Sequence, residues 1–321
     1  MIPPEPLPLT LTPRVDIPFL FDSYRALIKD LGAMDGLAAA QTLASEHFID
    51  AAAKLEDPQQ FVRDLAVHYR VSTHFVDFPS VPAHLTQLLI VGTCQQAEAF
   101  LESFRRDQLH MGRTWRQRGD GEPRLKYTLD SISGGFATNY IRIRRERYEI
   151  FEYYRLVRNA FVHSSIDRDR VRREFDNVSD FRATVERDFG LPAPNPVADL
   201  TFADHMLFTR VTKYIATDLC RLAAPTTGQD LIRFLLSHPD KPRHPLTRML
   251  NRKPDGEISR SGIRSFFLNR YNYRTRKFPT IEDEIVEWLG NLPNKHQRRD
   301  MRVGTILEYA RGLIGASSGS S

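Results

Sequence analysis

The sequence predicts a mainly α-helical protein: a helical bundle followed by a smaller, mainly helical and basic C-terminal region. Apolar residues recur at steps of three and four along much of the chain, the spacing that places them on one face of a helix. Asp57 followed by Pro58 is a helix start signal. Because 41% of the 321 residues are hydrophobic and 10% are aromatic, the chain is also able to bury a sizeable core.

The predicted helices follow a proline-rich segment that we expect to be extended. The first helix is rich in Ala and Leu and is expected to break near Gly32 to Gly36. A polar, glycine-containing connection is predicted at 112–135, between two long helices. The helical stretches are predicted at 20–55, 57–71, 81–111, 139–163, 167–189 and 202–225, with shorter ones at 228–239 and 281–293.

The domain organisation is predicted from where helical spacing stops. Three prolines within 190–200 form the clearest helix-breaking stretch in the chain, but a helix resumes directly after them. We therefore place the boundary near Pro225 to Gly228. The predicted parts are an extended N-terminal segment at 1–18, a helical bundle at 19–224 with its core at about 80–222, a basic C-terminal region at 225–314 and a flexible tail at 315–321.

Composition excludes several classes of protein. Cys94 and Cys220 lie far apart without the spacing of a disulfide framework or a zinc knuckle. No stretch approaches the roughly 20 apolar residues of a membrane span, and the N-terminus does not look like a secretory signal, so we expect a cytoplasmic protein. His238, Asp240 and His244 are too irregularly spaced to predict a metal site. The net charge of +5 favours a polyanionic partner, although it is mostly arginine.

One short motif stands out at the end of the helix predicted at 139–163. Arg158, Asn159 and His163 form R-N-x-x-x-H, and at about 100° per residue Asn159 and His163 are separated by only about 40° around the helix. A related sequence, "RDLAVH", runs from Arg63 to His68. The same residues also fit an ordinary helix end, where arginine and protonated histidine interact favourably with the helix dipole.

The helix pair that contains this motif resembles the HEPN superfamily of helical-bundle ribonucleases. In that superfamily a long helix with an acidic residue packs beside a later helix that carries R-N-x-x-x-H. "VGTCQQAEAFLESF" at 91–104 corresponds to the first, with Glu98 at the acidic position, and "YYRLVRNAFVH" at 153–163 to the second. Arg158, Asn159 and His163 match the motif position by position, whereas nothing in the C-terminal third resembles a known family.

The resemblance implies an endoribonuclease that uses neither metal nor cofactor. In this chemistry the ribose 2′-OH attacks the adjacent phosphodiester and leaves a 2′,3′-cyclic phosphate. His163 is the expected proton acceptor, Arg158 the cation that stabilises the phosphoryl oxygens, and Asn159 an orienting or phosphate-contacting group.

Three further properties follow from the same resemblance. Such enzymes typically pair two motifs across a two-fold axis, so we expect a homodimer with the helix 139–163 in its interface. Alternatively, Arg63 and His68 supply the second motif, so that both motifs lie within one chain. Such proteins often act as toxins or anti-phage effectors, and a neutralising partner protein remains open.

A basic segment in the C-terminal region predicts RNA contact. Cations that alternate with aromatic rings are typical of single-stranded RNA binding, with charges on phosphates and rings stacked on bases. The predicted RNA-binding residues are Arg264, Arg270, Tyr271, Tyr273, Arg274, Arg276 and Lys277. The alternative is a helix whose rings are core and whose arginines are solvated.

Two other functions compete with ribonuclease activity. One is a HEPN-like bundle without activity, serving as a dimerisation, nucleotide-binding or RNA-binding module. The other is a DNA-binding regulator that uses the basic segment.

Overall fold

The computed structural model is all α-helical across the part of the chain that it describes, as predicted, and no strand occurs there. The described residues are 17–73, 75–163, 168–238, 244–246, 260–292, 301 and 303–317. None of the helices within these ranges is both long enough and apolar enough to cross a membrane. The predicted extended segment falls almost wholly outside the described residues, as does most of the predicted tail.

The helices vary from about two to about nine turns, and three short 3-10 turns connect some of them. The first seven are α1 Asp22–Ala53, α2 Pro58–Tyr69, α3 Val81–His110, α4 Arg124–Ser131, α5 Gly135–Arg142, α6 Arg145–Val162 and α7 Arg168–Ser179. The others are α8 Arg182–Phe189, α9 Phe202–Leu222, α10 Gly228–Leu236, α11 Arg260–Tyr271, α12 Pro279–Gly290 and α13 Val303–Ser317.

The start of α2 confirms the signal read from the sequence. The Asp57 side chain accepts a hydrogen bond from the backbone N–H of Gln60 at 2.9 Å, and Pro58 occupies the first helical position, where no N–H is needed. The helix ends at Arg70, whose φ of 55° is left-handed and whose backbone N–H donates to the carbonyls of Ala66 and Val67 in the last turn.

Two helix predictions were wrong in detail. The helix α1 continues through Gly32 and Gly36 without a break, because Leu31 and Ala38 on either side are fully buried and hold the helix by packing. The helix predicted at 139–163 is instead α5 and α6, separated at Arg144, whose φ is 72°. The connection predicted at 112–135 also contains a helix, α4.

The chain forms two compact units, and each is assembled from separate stretches. Of the described residues, the first unit contains those within 26–99 and 140–216, and the second contains those within 17–25, 100–139 and 217–317. These units are groups of residues that contact one another in space, whereas the boundary predicted near 225 is a position along the sequence. The two do not test each other, so the predicted domain limits stay predictions.

Aromatic residues of α6 and α9 fill the core of the first unit. Tyr154 and Phe208 are fully buried with ring centroids 5.0 Å apart, and Phe151 lies 5.6 Å from the same phenylalanine. Nine of the eighteen residues of α6 are buried, so one face of this helix lies against the interior of its unit. The exposed residues of this helix are Arg145 at its start and Phe161 and Val162 in its last turn.

A second aromatic cluster forms the core of the second unit. Phe19 stacks on Tyr271 at 5.1 Å and meets Phe234 edge-on at 5.5 Å. The Asp22 carboxylate contacts His238 at 3.0 Å and Arg270 at 3.2 Å on the border of this cluster. These ion pairs tie the start of α1 to α10 and α11 within the unit.

Candidate functional site

A buried hydrogen-bond network fixes the helix that carries the R-N-x-x-x-H motif. The Tyr154 hydroxyl of α6 donates to Asp204 Oδ1 at 2.9 Å, and the same carboxylate accepts the backbone N–H groups of Asn195 and Thr201 at 2.9 and 2.8 Å. Burial and the neighbouring carboxylate raise the pKa of Tyr154 well above its ordinary value, so its hydroxyl remains a donor. The adjacent Tyr153 hydroxyl donates to the Asn195 carbonyl at 2.5 Å.

The helix α3 approaches α6 at Cys94. The Cys94 Sγ lies 4.0 Å from the Tyr154 carbonyl oxygen. Burial raises the pKa of this thiol, while the charge of Arg158 lowers it and that of Glu98 raises it. Glu98 lies one turn after Cys94 on α3, and Arg158 lies one turn after Tyr154 on α6, so each is one helical turn from this contact.

Arg158 and Asn159 are joined directly. The Arg158 Nη1 donates to Asn159 Oδ1 at 2.8 Å, and both side chains are partly exposed. The Arg158 Nε is buried and has no hydrogen-bond partner among the described residues. The hydrogen bond to Asn159 fixes the direction of the guanidinium, whose side chain is partly exposed.

His163 occupies the position directly after α6. Its backbone N–H still donates to the Asn159 carbonyl at 2.9 Å, but its φ of −123° and ψ of 115° are extended rather than helical. The 40° separation from Asn159 expected for a continuous helix therefore does not apply to the His163 side chain. The imidazole is exposed, and no described residue forms a hydrogen bond with it. Along the helix axis the His163 Cα lies about 7.5 Å beyond the Arg158 Cα.

The related sequence on α2 has another environment. Arg63 donates to Gln60 at 2.8 and 3.0 Å and lies 3.5 Å from Asp57, so its guanidinium is engaged within its own helix. Asp64 accepts a hydrogen bond from the same glutamine at 2.7 Å. His68 is exposed and its ring lies edge-on to Tyr69 at 4.7 Å.

The two tyrosines predicted to stack on RNA are core residues. Tyr271 is fully buried and Tyr273 is 1% exposed, with its hydroxyl donating to the Pro225 carbonyl at 3.1 Å. Their rings are therefore occupied by packing against other aromatic rings and are not accessible to a base in this structure.

The predicted basic residues divide into paired and exposed groups. Arg264 forms two hydrogen bonds with the buried carboxylate of Glu282 at 2.8 and 2.9 Å, and Arg270 pairs with Asp22. Three cations are exposed, with no acidic partner within the described ranges. They are Arg274, Arg276 and Lys277.

These exposed cations border a cavity of about 490 Å³ whose other walls include Arg264 and Leu268. The accessible positive charge of the segment is therefore concentrated at this cavity.

The described residues contain no group of three potential metal ligands. His238 and His244 approach each other with ring centroids 6.1 Å apart, and His238 hydrogen-bonds the Phe234 carbonyl and the Asp22 carboxylate. Asp240 lies outside the described residues.

No sequence signal pointed to a second pocket, which the structure shows beside α6. It has a volume of about 520 Å³ and includes Ala160 and Phe161 of α6, between Asn159 and His163 in sequence. Phe175 of α7 was visible in the sequence, but a phenylalanine on a helix is equally typical of a core. Only the tertiary arrangement distinguishes the two roles.

No protein-family model matches this chain, and no curated protein or solved structure matches it either.

Proposed function

We propose that the protein is a metal-independent endoribonuclease whose active site includes Arg158, Asn159 and His163. The observation that carries the proposal is the end of α6, where a partly exposed Arg158–Asn159 pair precedes an exposed imidazole. The proposal also draws on the resemblance of the motif and of the α3–α6 pair to HEPN ribonucleases, where α3 carries Glu98 and contacts α6 at Cys94.

The chemistry requires a proton acceptor and a cation at the phosphate. His163 accepts the proton of a ribose 2′-OH, since imidazole changes protonation near neutral pH. The 2′ oxygen then bonds to phosphorus, the bond from phosphorus to the 5′ oxygen breaks, and that oxygen takes up a proton. The products are a 2′,3′-cyclic phosphate and a 5′-hydroxyl end. Arg158 holds the non-bridging oxygens as negative charge grows on them.

A homodimer supplies the second acid–base group in this proposal. Each R-N-x-x-x-H motif contains a single imidazole, and the partner subunit's His163 then protonates the 5′ oxygen that leaves. Half of the residues of α6 are buried, and Phe161 lines a pocket, so the exposed apolar residues left for an interface on 139–163 are Ile141 and Val162. We therefore propose that the last turn of α6, rather than its whole length, forms the contact.

The exposed cations of the C-terminal segment are proposed to hold the RNA backbone. Arg274, Arg276 and Lys277 are suited to phosphate contacts, which give affinity without reading sequence. Tyr271 and Tyr273 are buried, so their rings are not proposed to stack on bases. A toxin or anti-phage role is proposed with the nuclease activity, and growth arrest on expression of wild type but not of His163→Ala is the corresponding observation.

The test is digestion of total cellular RNA by the purified full chain in the presence of EDTA, with the product ends examined. Wild type is expected to produce 2′,3′-cyclic phosphate ends, and His163→Ala is expected to produce none. His68→Ala is the matched control, since it removes an exposed histidine from the related sequence on α2 and is expected to cleave like wild type.

Several results would contradict the proposal. Cleavage that EDTA abolishes, or equal cleavage by wild type and His163→Ala, would remove His163 from the active site. RNA binding without cleavage or growth arrest would favour a binding module. Duplex DNA binding that depends on Arg274 and Arg276 but not on His163 would favour a regulator.

A further inference from the structure

The pocket beside α6 has the composition of a site for a flat, aromatic ligand. Its walls include the rings of Tyr153, Phe161 and Phe175, contributed by α6 and α7. Tyr153 and Phe175 have ring centroids 6.0 Å apart with an angle of 50° between their planes. Phe161 is 41% exposed although it lines the pocket, so one ring remains accessible from solvent. The volume of about 520 Å³ lies in the range of sites that hold small molecules.

The polar groups of the pocket are positive or amide in character. Arg172 of α7 is exposed, and no acidic residue among the described ones pairs with it. Gln87 of α3 donates to the Val197 carbonyl at 3.5 Å, the outer limit of a hydrogen bond, so its amide is able to exchange this contact for the edge of a ligand. A cation and an amide beside aromatic walls complement an anionic ligand that carries a heterocyclic ring.

The pocket is next to the proposed catalytic residues on the same helix. Arg158 and Phe161 are three positions apart, which makes their side chains neighbours on the surface of α6. A phosphate held by Arg158 would therefore place an adjacent nucleotide of the same strand near the Phe161 ring. Duplex RNA does not present a base in this way, whereas a single strand does.

We propose that this pocket is a base-binding subsite, in which one nucleobase of single-stranded RNA packs against Phe161 while Gln87 and Arg172 contact its edge and phosphate. The inference rests on the proposed function, because it takes RNA as the substrate of the adjacent motif. Phe175 and Tyr153 form the back of the subsite.

The test measures binding separately from cleavage. A fluorescent 2′-O-methyl RNA 8-mer has no free 2′-OH and cannot be cleaved by the proposed route, and an abasic 8-mer has the same phosphates without bases. Fluorescence anisotropy with the full chain is expected to show that Phe161→Ala weakens binding of the intact 8-mer by about 5- to 150-fold, the range of one base–aromatic stack. Binding of the abasic 8-mer should hardly change.

Matched variants separate the subsite from general effects. Leu43→Ala removes a 67% exposed apolar residue of the same unit outside the pocket lining and is expected to leave both affinities unchanged. Arg172→Ala is expected to weaken binding more than Arg182→Ala, which removes the same charge from an exposed site of α8 outside the lining.

Three results would overturn the subsite. The first is that wild type and Phe161→Ala bind the intact 8-mer with equal affinity. The second is that wild type does not bind RNA. The third is that Phe161→Ala changes the oligomeric state without changing the affinity. The last result would mean that a second copy of this chain covers the pocket.

Cleavage of ordinary RNA by the same proteins distinguishes the two proposals. If wild type cleaves with cyclic ends while Phe161→Ala binds normally, the subsite fails and the nuclease stands. If base-dependent binding requires Phe161 but no cleavage occurs, the subsite stands and the nuclease fails.

Discussion

The hydrogen bond between Tyr154 and Asp204 should contribute measurably to the stability of the unit that carries the motif. Tyr154→Phe keeps the ring, which is fully buried against Phe208, and removes only the hydroxyl that donates to Asp204 at 2.9 Å. A hydrogen bond to a charged acceptor contributes about 1.5 to 3 kcal/mol. The carboxylate keeps its backbone donors from Asn195 and Thr201, so we expect a loss of about 1.5 to 2 kcal/mol rather than the full range.

The adjacent tyrosine is the control for this prediction. Tyr153→Phe also removes a hydroxyl from a buried ring, but its acceptor is the neutral carbonyl of Asn195, so we expect a loss of about 0.5 to 1.5 kcal/mol. Urea-induced unfolding followed by circular dichroism measures both values. A double variant of Tyr154→Phe and Asp204→Asn should lose less than the sum of the single variants. A Tyr154→Phe loss below 0.5 kcal/mol, or strict additivity, would refute the reasoning.

Three other predictions concern the second unit. Burial raises the pKa of Asp107 to about 6, so the folded protein loses stability as pH rises from about 4 to 6. Asp107→Asn has no carboxylate to bury, so the free energy by which it exceeds wild type in urea titrations should grow between pH 4 and 7 to about 1 to 3 kcal/mol. Gly228→Ala should lower the melting temperature, because a Cβ there would lie 2.6 Å from Glu284 Cβ, and no decrease would contradict this packing. The Arg274→Ala/Arg276→Ala variant should reduce the salt dependence of RNA binding by about 1.4 in the log–log slope, and an unchanged slope would exclude phosphate contacts there.

The helical class and several helix limits followed from local signals that act within a few residues. The capping aspartate and proline at Asp57 and Pro58 placed the start of α2, and apolar spacing placed α3 within one residue of its observed end. The break expected at Gly32 and Gly36 did not occur. A glycine inside a helix costs only about 1 kcal/mol, and the packing of α1 exceeds that cost.

The separation of α5 from α6 had no local signal. The sequence around Arg144 contains neither glycine nor proline, yet its φ is 72°. Its guanidinium contacts Glu146 at 2.5 Å and Asp188 at 2.7 Å, and the second of these residues is 44 positions away in the chain. Such a long-range ion pair is outside the reach of periodicity, so the end of one helix and the start of the next were not predictable.

The candidate site was predictable in its residue types but not in its geometry. The motif identified Arg158, Asn159 and His163, whereas only the structure shows that His163 leaves the helix and that the arginine and asparagine bond to each other. Rings at Tyr271 and Tyr273 alternate with cations whether they stack on RNA or fill a core, so the sequence did not distinguish these roles. The pocket at Phe161 depends on α7 and was not visible at all.

The central claim is most directly tested by the cleavage rate of a defined RNA oligonucleotide by wild type, His163→Ala and His68→Ala in EDTA. General base catalysis by one side chain contributes about 10²- to 10⁴-fold. The account predicts a loss of at least that order for His163→Ala, no loss for His68→Ala, and a 2′,3′-cyclic phosphate on the wild-type product. Equal rates for wild type and His163→Ala, or a product without the cyclic phosphate, would contradict it.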